Sequence, residues 1–140
     1  MIKMAALDLD RTLLRDDKSV SDYTRQVIAQ WRASGRKLVL ASARPMRTMQ
    51  EYIALLEADG AAIGNGALVW TPVYQRQIPM DHDDVERFLE DVLDAFPDST
   101  ISAEIDDTLY ANFDIPEWSP TILRDFRHLP QGNVRKVLVT

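Results

Sequence analysis

Apolar and polar positions change period several times along this chain, and each change predicts an element. Residues 2–9 form a short, mostly apolar run that ends abruptly in Asp8-Leu9-Asp10, the pattern of a strand buried within a parallel sheet. Ser19, with Asp22 three residues on, resembles a capping box. Tyr23, Val27, Ile28 and Trp31 then give a helix one apolar face, and Gly35 stands at its C-cap. Lys37 to Ala41 (KLVLA) reads as a second buried strand. Pro45 suits the first turn of a second helix, whose Met49, Tyr52, Ile53 and Leu56 fall at i, i+3, i+4 and i+7. Gly60 closes that helix, and Ala61-Ala62-Ile63 begins a third strand. Strand, helix, strand, helix, strand predicts an α/β unit with a parallel sheet and right-handed crossovers.

The pattern then shifts. Asn65-Gly66 is a strong turn signal, and Leu68-Val69-Trp70 with Val73 to Ile78 reads as a hairpin. From Asp81 an amphipathic helix carries Val85, Phe88, Leu89, Val92, Leu93 and Phe96 along one stripe, with Asp81, Asp83 and Asp84 supplying negative charge at its start. Ile101, Ala103 and Ile105 alternate, Asp106-Asp107 turns the chain, and Leu109, Ala111 and Phe113 alternate again. Pro116, Pro120 and Pro130 interrupt a less regular stretch before a last strand, Val134 to Val139. A boundary near residue 80 therefore separates an α/β unit, 1–80, from an α+β unit, 81–140.

Composition narrows the function classes. Of 140 residues, 46% are hydrophobic and 27% charged, which suits a globular protein. The net charge of −6 argues against a general nucleic-acid or anionic-membrane surface. No cysteine is present, so disulfides and thiolate metal sites are excluded. The first residues run into a strand without signal-peptide architecture, and no apolar run approaches the ~20 residues that span a bilayer. The expectation is a cytoplasmic protein.

In parallel α/β sheets ligands bind at the carboxyl ends of the strands. Asp8 and Asp10 follow the first strand here, and Ser42 follows the second. Two carboxylates one residue apart can divide labour, one ligating a hard cation and attacking phosphorus, the other handling protons. A neighbouring hydroxyl can hold a phosphoryl oxygen, and the helix opening at Pro45 turns free N–H groups towards an anion. Asp-x-Asp by itself is more often a turn, and a lone serine more often a loop residue. The longer strings decide between these readings.

Asp8-Leu9-Asp10-Arg11-Thr12-Leu13-Leu14 resembles the first motif of the haloacid dehalogenase superfamily. Leu38 to Pro45 (LVLASARP) resembles its second motif, and Gly64 to Val69 (GNGALV) the Asn-Gly-Ala turn of the Cof-like subgroup, subfamily IIB. The resemblance implies a Rossmann-like core over 1–80 and the start of a C2-type cap over 81–140. It also implies a Mg²⁺-dependent phosphatase acting on a small phosphorylated metabolite, such as a sugar phosphate or phosphorylated cofactor. By that resemblance Asp8 is the nucleophile that forms an aspartyl-phosphate and also ligates Mg²⁺. Asp10 is the acid–base, with its backbone carbonyl on the metal. Thr12 braces the loop, Ser42 binds a phosphoryl oxygen, Arg44 helps bind substrate and Asn65 lies at the pocket rim.

Two positions depart from the family pattern. Arg11 stands where glycine is usual, so the turn must avoid positive φ or accept strain, and Ala43 replaces the glycine after Ser42. The family also uses a lysine and a late Gly-Asp-x-x-Asn-Asp cluster. Neither occurs in these residues, and Lys37 and Lys136 are not substitutes. The expectation is a truncated chain that by itself is weakly active, with its first strand left at a sheet edge. Competing readings are a silent remnant that binds ligand or partner, a sugar phosphomutase of the same superfamily, and a receiver module. The last needs its phospho-acceptor where this chain has Ile63-Gly64-Asn65. His82 and His128 read as isolated, and Trp31, Trp70 and Trp118 as packing residues, with contact to substrate the alternative for Trp118.

Overall fold

The computed structural model describes residues 2–140, which divide into two compact units, 2–77 and 78–140. In the first, β1 (Met4–Asp8), β2 (Lys37–Ala41) and β3 (Gly60–Ile63) run parallel. The hairpin of β4 (Leu68–Thr71) and β5 (Tyr74–Gln77) adds antiparallel to β3, so the order is β1-β2-β3-β4-β5. The helices α1 (Asp22–Ala33) and α2 (Met46–Leu55) make the two crossovers. Leu38 and Leu40 of β2 pack with Ile63, Leu68, Ile28, Met49, Tyr52 and Leu56 in one apolar cluster. Each large side chain so buried contributes ~1.5–3 kcal/mol.

Several local expectations change. Strand β1 lies at the sheet edge, as expected, but its apolar run, read as buried, leaves Met4, Ala6 and Asp8 exposed, because only β2 flanks it. The N-cap of α1 is Ser21, whose side chain accepts from Thr24 N–H, and not Ser19; the Ser19 N–H and hydroxyl both donate to Asp17 Oδ1. Tyr23 and Val27 are exposed, and Ile28 alone of α1 is buried. Gly60 does not close α2. It is the first residue of β3, where a Cβ would come within 3.1 Å of the Trp70 carbonyl oxygen, so β4 passes close enough to crowd a side chain.

In the second unit α3 (His82–Ala95) accompanies a sheet ordered β8-β7-β6-β9, built from β6 (Ile101–Ile105), β7 (Thr108–Ala111), β8 (Thr121–Ile122) and β9 (Val134–Val139). Asp81 caps α3, its side chain accepting from Asp84 N–H at 3.0 Å. Val85, Leu89 and Leu93 pack on Ile101, Ala103, Ile105 and Val134, and Phe126 is wholly buried among them. Phe88 and Phe96, expected on the same stripe, are exposed. One helix face on a four-stranded sheet covers a stripe narrower than the sequence offers, and Phe96 follows the last helical residue. The short parallel strand β8 falls in the proline-rich stretch, where periodicity carried no signal. No helix among the described residues is long and apolar enough to cross a membrane.

Two substitutions test this packing. Phe126→Ala should cost ~3–5 kcal/mol in urea-induced unfolding of the second unit. Arg11, in the turn after β1, has φ +62°, a left-handed conformation that costs an L-residue ~1–2 kcal/mol. Arg11→Gly should raise the unfolding free energy by about 0.5–1 kcal/mol after the entropy of the unfolded glycine is subtracted. A fall would show that the arginine side chain offsets the strain.

Candidate active site

The parallel register of β1 with β2 pairs Asp8 with Ala41, so the residues following both strands emerge at one end of the sheet. The chain after Asp8 folds into a tight turn, Leu9–Leu13, closed by Leu14 N–H donating to Leu9 O at 2.9 Å. Leu9 and Leu14 are buried and anchor the turn, while Asp10 is half-buried and Asp8 exposed. Arg11 takes the positive φ, so strain is accepted at the position where glycine was the expected residue.

Thr12 Oγ1 donates to Asp8 Oδ2 at 3.0 Å. This hydroxyl therefore orients a carboxylate directly, besides closing the turn. Ser42 is buried; its Oγ accepts from Arg44 N–H at 3.2 Å, and its N–H donates to Ala62 O at 2.9 Å. The Ser42 loop is tied to the turn after β3 by Gly64 N–H to Arg44 O and Asn65 N–H to Ser42 O. Asn65 is thus held through its backbone, at φ +59°, with its side chain exposed. Pro45 is the N-cap of α2 and provides no side-chain cap. The first N–H groups of this ten-residue helix therefore lack the usual side-chain acceptor.

Asp10 is the electrostatic centre of the group. Arg44 donates to it through a fork, Nε to Oδ2 at 2.7 Å and Nη2 to Oδ1 at 2.8 Å, and Lys18 Nζ reaches Oδ1 at 3.0 Å. The Arg44 hydrogen bonds, then Lys18, hold the Asp10 carboxyl well below the usual carboxylate range despite partial burial. Arg44 is raised in turn, chiefly by Asp10. Arg44, expected at the substrate, spends two of its donors on Asp10. Its guanidinium also lies 5.3 Å from the Tyr52 ring centroid.

Lys18 and Tyr52 were missing from the sequence reading of this site. A lysine in a polar loop carries no signal of its own, and Tyr52 read only as an apolar-face position. Lys37 pairs with Asp59, and Lys136 stands opposite Glu104 in the second unit. His82 is not isolated: it shares the start of α3 with Asp83 and Glu86, one ligand atom of each within 4.8 Å of the others. Its Nε2 lies 3.3 Å from Pro130 O, and Glu86 accepts from Leu129 N–H. Trp118 is 62% exposed, so it is not the packing residue it was expected to be.

Asp8 and Asp10 at the end of β1, with Ser42 just past the end of β2, form the candidate site of an α/β fold, and comparison with known proteins identifies the family. The haloacid dehalogenase-like hydrolase family matches residues 5–133, and the chain belongs to that family. It is 30% identical over 117 residues to the 5-amino-6-(5-phospho-D-ribitylamino)uracil phosphatase YitU of Bacillus subtilis, covering 79% of this chain and 42% of YitU. The crystal structure of SMU.1108c from Streptococcus mutans superimposes with a TM-score of 0.81 at 20% identity, over 99% of this chain and 57% of that one. The HAD subclass IIB sugar phosphatase BT4131 gives a TM-score of 0.65 at 20% identity, over 78% of this chain and 43% of that one. The chain thus spans about half the length of these relatives or less.

The Asp10 pair predicts an acid-dependent stability. A depressed folded-state pKa contributes stability that is present above the ordinary carboxylate range and fades as pH falls below about 4. Arg44→Met should therefore cost ~1–2 kcal/mol at pH 7, discounted for partial exposure. The gap to the parent chain should narrow at pH 3 in urea unfolding. An equal gap at both pH values would show that packing, and not the ion pair, is what Arg44 contributes.

Proposed function

We propose that this chain carries the nucleophile and the acid–base of a Mg²⁺-dependent phosphomonoester hydrolase acting on a small phosphorylated metabolite. The supporting observation is the pair at the end of β1: an exposed Asp8 carboxylate oriented by Thr12, and two residues on an Asp10 carboxylate kept ionised by Arg44. Asp8 attacks phosphorus, forming an aspartyl-phosphate, as the alkoxide leaves with a proton from Asp10. Asp10 then takes a proton from water, the hydroxide attacks phosphorus, and the Asp8 carboxylate is released as phosphate departs. The ground state described here is the base form of Asp10, suited to the second step. An incoming phosphate dianion that competes for Arg44 would relieve the ion pair and raise Asp10 towards the acid form.

The donor set suits Mg²⁺. The Asp8 carboxylate and the Asp10 carbonyl are hard oxygen ligands, and a hydrated Mg²⁺ is commonly bound through one or two such protein oxygens. When bound, the ion would neutralise charge on the transferring phosphoryl group. The Asp10 carboxylate is committed to Arg44 and Lys18 and is not counted among the ligands. Ser42, beside the open N-terminus of α2, would donate its hydroxyl proton to a phosphoryl oxygen. Asn65 lies at the rim, held by the same loop.

The names of the relatives guide the substrate class: YitU acts on a phosphoribityl compound and BT4131 on sugar phosphates. A phosphorylated sugar or cofactor precursor is the corresponding substrate here. The Ile78–Thr140 unit is proposed as part of a cap that selects it. The cysteine-free composition fits a reducing cytoplasm.

In any form of the protein containing this segment that hydrolyses p-nitrophenyl phosphate with Mg²⁺, Asp8→Asn should lower kcat by at least ~10²-fold. Chelation with EDTA should do the same and be reversed by Mg²⁺. Undiminished turnover in purified Asp8→Asn would remove the nucleophile assignment.

A further inference from the structure

Four residues, the proposed acid–base Asp10 among them, close a ring. Arg44 forks onto Asp10 and lies over the Tyr52 ring; the Tyr52 hydroxyl donates to Lys18 O at 3.1 Å; Lys18 Nζ returns to Asp10 Oδ1 at 3.0 Å. The members come from three separate pieces of chain: the turn after β1, the loop before α1, and α2 with its entry. We propose that Lys18 and Tyr52 are positioning residues, whose task is to fix the plane of the Asp10 carboxylate, Lys18 by its own contact and Tyr52 through Arg44 and the Lys18 carbonyl. The proposal rests on the hydrolase reading above for its purpose, and on the ring alone for its geometry.

The backbone supports this. Lys18 sits at φ +65°, a conformation that glycine or asparagine adopts more easily, at the corner of a small loop. That loop is closed by Arg15 N–H to Ser19 O and Lys18 N–H to Arg15 O, both at 3.0 Å. The side chain of Lys18 is 58% exposed, so core packing does not demand a lysine there. What it does is deliver an ammonium group to Asp10. Tyr52 is buried, and burial pushes its phenol up, so it stays neutral and keeps its proton for the Lys18 carbonyl. A carboxylate gripped from one side by a guanidinium can still rotate with it. Contact with a second cation, from an independently pinned loop, removes that freedom.

Lys18→Gly separates this role from a structural one, because it relieves the backbone strain while deleting the ammonium group. The measurement is solvent exchange of the Arg44 Nε–H signal in ¹H–¹⁵N spectra of the 140-residue chain, alongside thermal stability. Lys18→Gly should keep or raise the melting temperature, yet speed Arg44 exchange about five- to tenfold, roughly the factor carried by one net hydrogen bond. Tyr52→Phe, which loses only the hydroxyl, should speed exchange similarly, and Lys18→Arg should restore the slow rate. Unchanged exchange in a folded Lys18→Gly chain overturns the proposal, even if Tyr52→Phe fails to fold. Where the chain turns over p-nitrophenyl phosphate, Lys18→Gly should lower kcat about tenfold with KM within twofold, part of the ~10²–10⁴ that positioned proton transfer supplies. A slow-exchanging Arg44 in a form of the protein whose Asp8→Asn variant keeps full Mg²⁺-dependent turnover would remove the hydrolase reading and leave the ring standing.

Discussion

The parallel pairing of β1 with β2 is the constraint on which the rest of the site depends. With Asp8 opposite Ala41, the turn bearing Asp10 and the loop bearing Ser42 and Arg44 leave the sheet side by side. A slip of one residue would turn every β1 side chain to the other face and carry the Asp10 turn out of register with Arg44. The register is secured from the β2 side, where Leu38 and Leu40 are buried in the core, and from the turn, where Leu9 and Leu14 are buried. The β1 side chains contribute less, since three of the five residues are exposed. Apolar residues just beyond the strand therefore hold the polar residues between them in place.

The group around Asp10 shows how a short acidic motif acquires a defined electrostatic state. Two carboxylates so near in sequence would repel if both were ionised and unpaired. Arg44 and Lys18 place two cations on Asp10, while Asp8 takes only a neutral hydroxyl donor from Thr12. The two acids are thereby made unlike. One is locked and ionised; the other is exposed and oriented, the more available of the two for a cation or a phosphorus atom. Division of labour between similar groups is commonly achieved by such differences in environment.

The second unit is organised by a different principle. Its core is a single helix face against a mostly antiparallel sheet, with Phe126 of the proline-rich stretch buried in the same cluster. Exposed Phe88, Phe96 and Trp118 accompany a well-packed interior. Hydrophobicity in this unit exceeds what one helix and four strands can cover.

Much of this was legible in the chain itself. The switch from apolar runs to Asp8-Leu9-Asp10 and to Ser42, the helical spacing of Met49, Tyr52 and Leu56, and the Asn65-Gly66 turn are local patterns, and the strands and helices they predict are present. Positions whose state depends on neighbours distant in sequence were not legible. Gly60 read as a helix stop, but the close passage of Trp70 makes it a strand residue. Ser19 and Ser21 offer the same cap chemistry, and only the path of the chain chose Ser21. The sequence by itself determined the elements other than β8, their α/β class and the candidate acids, because backbone propensity and motif spacing are encoded within a few residues. The tertiary structure decided that Arg44 serves Asp10, that Lys18 and Tyr52 join them, and that Phe88 faces water. Those outcomes depend on side chains up to 34 residues apart meeting in space, and no local pattern encodes such a meeting.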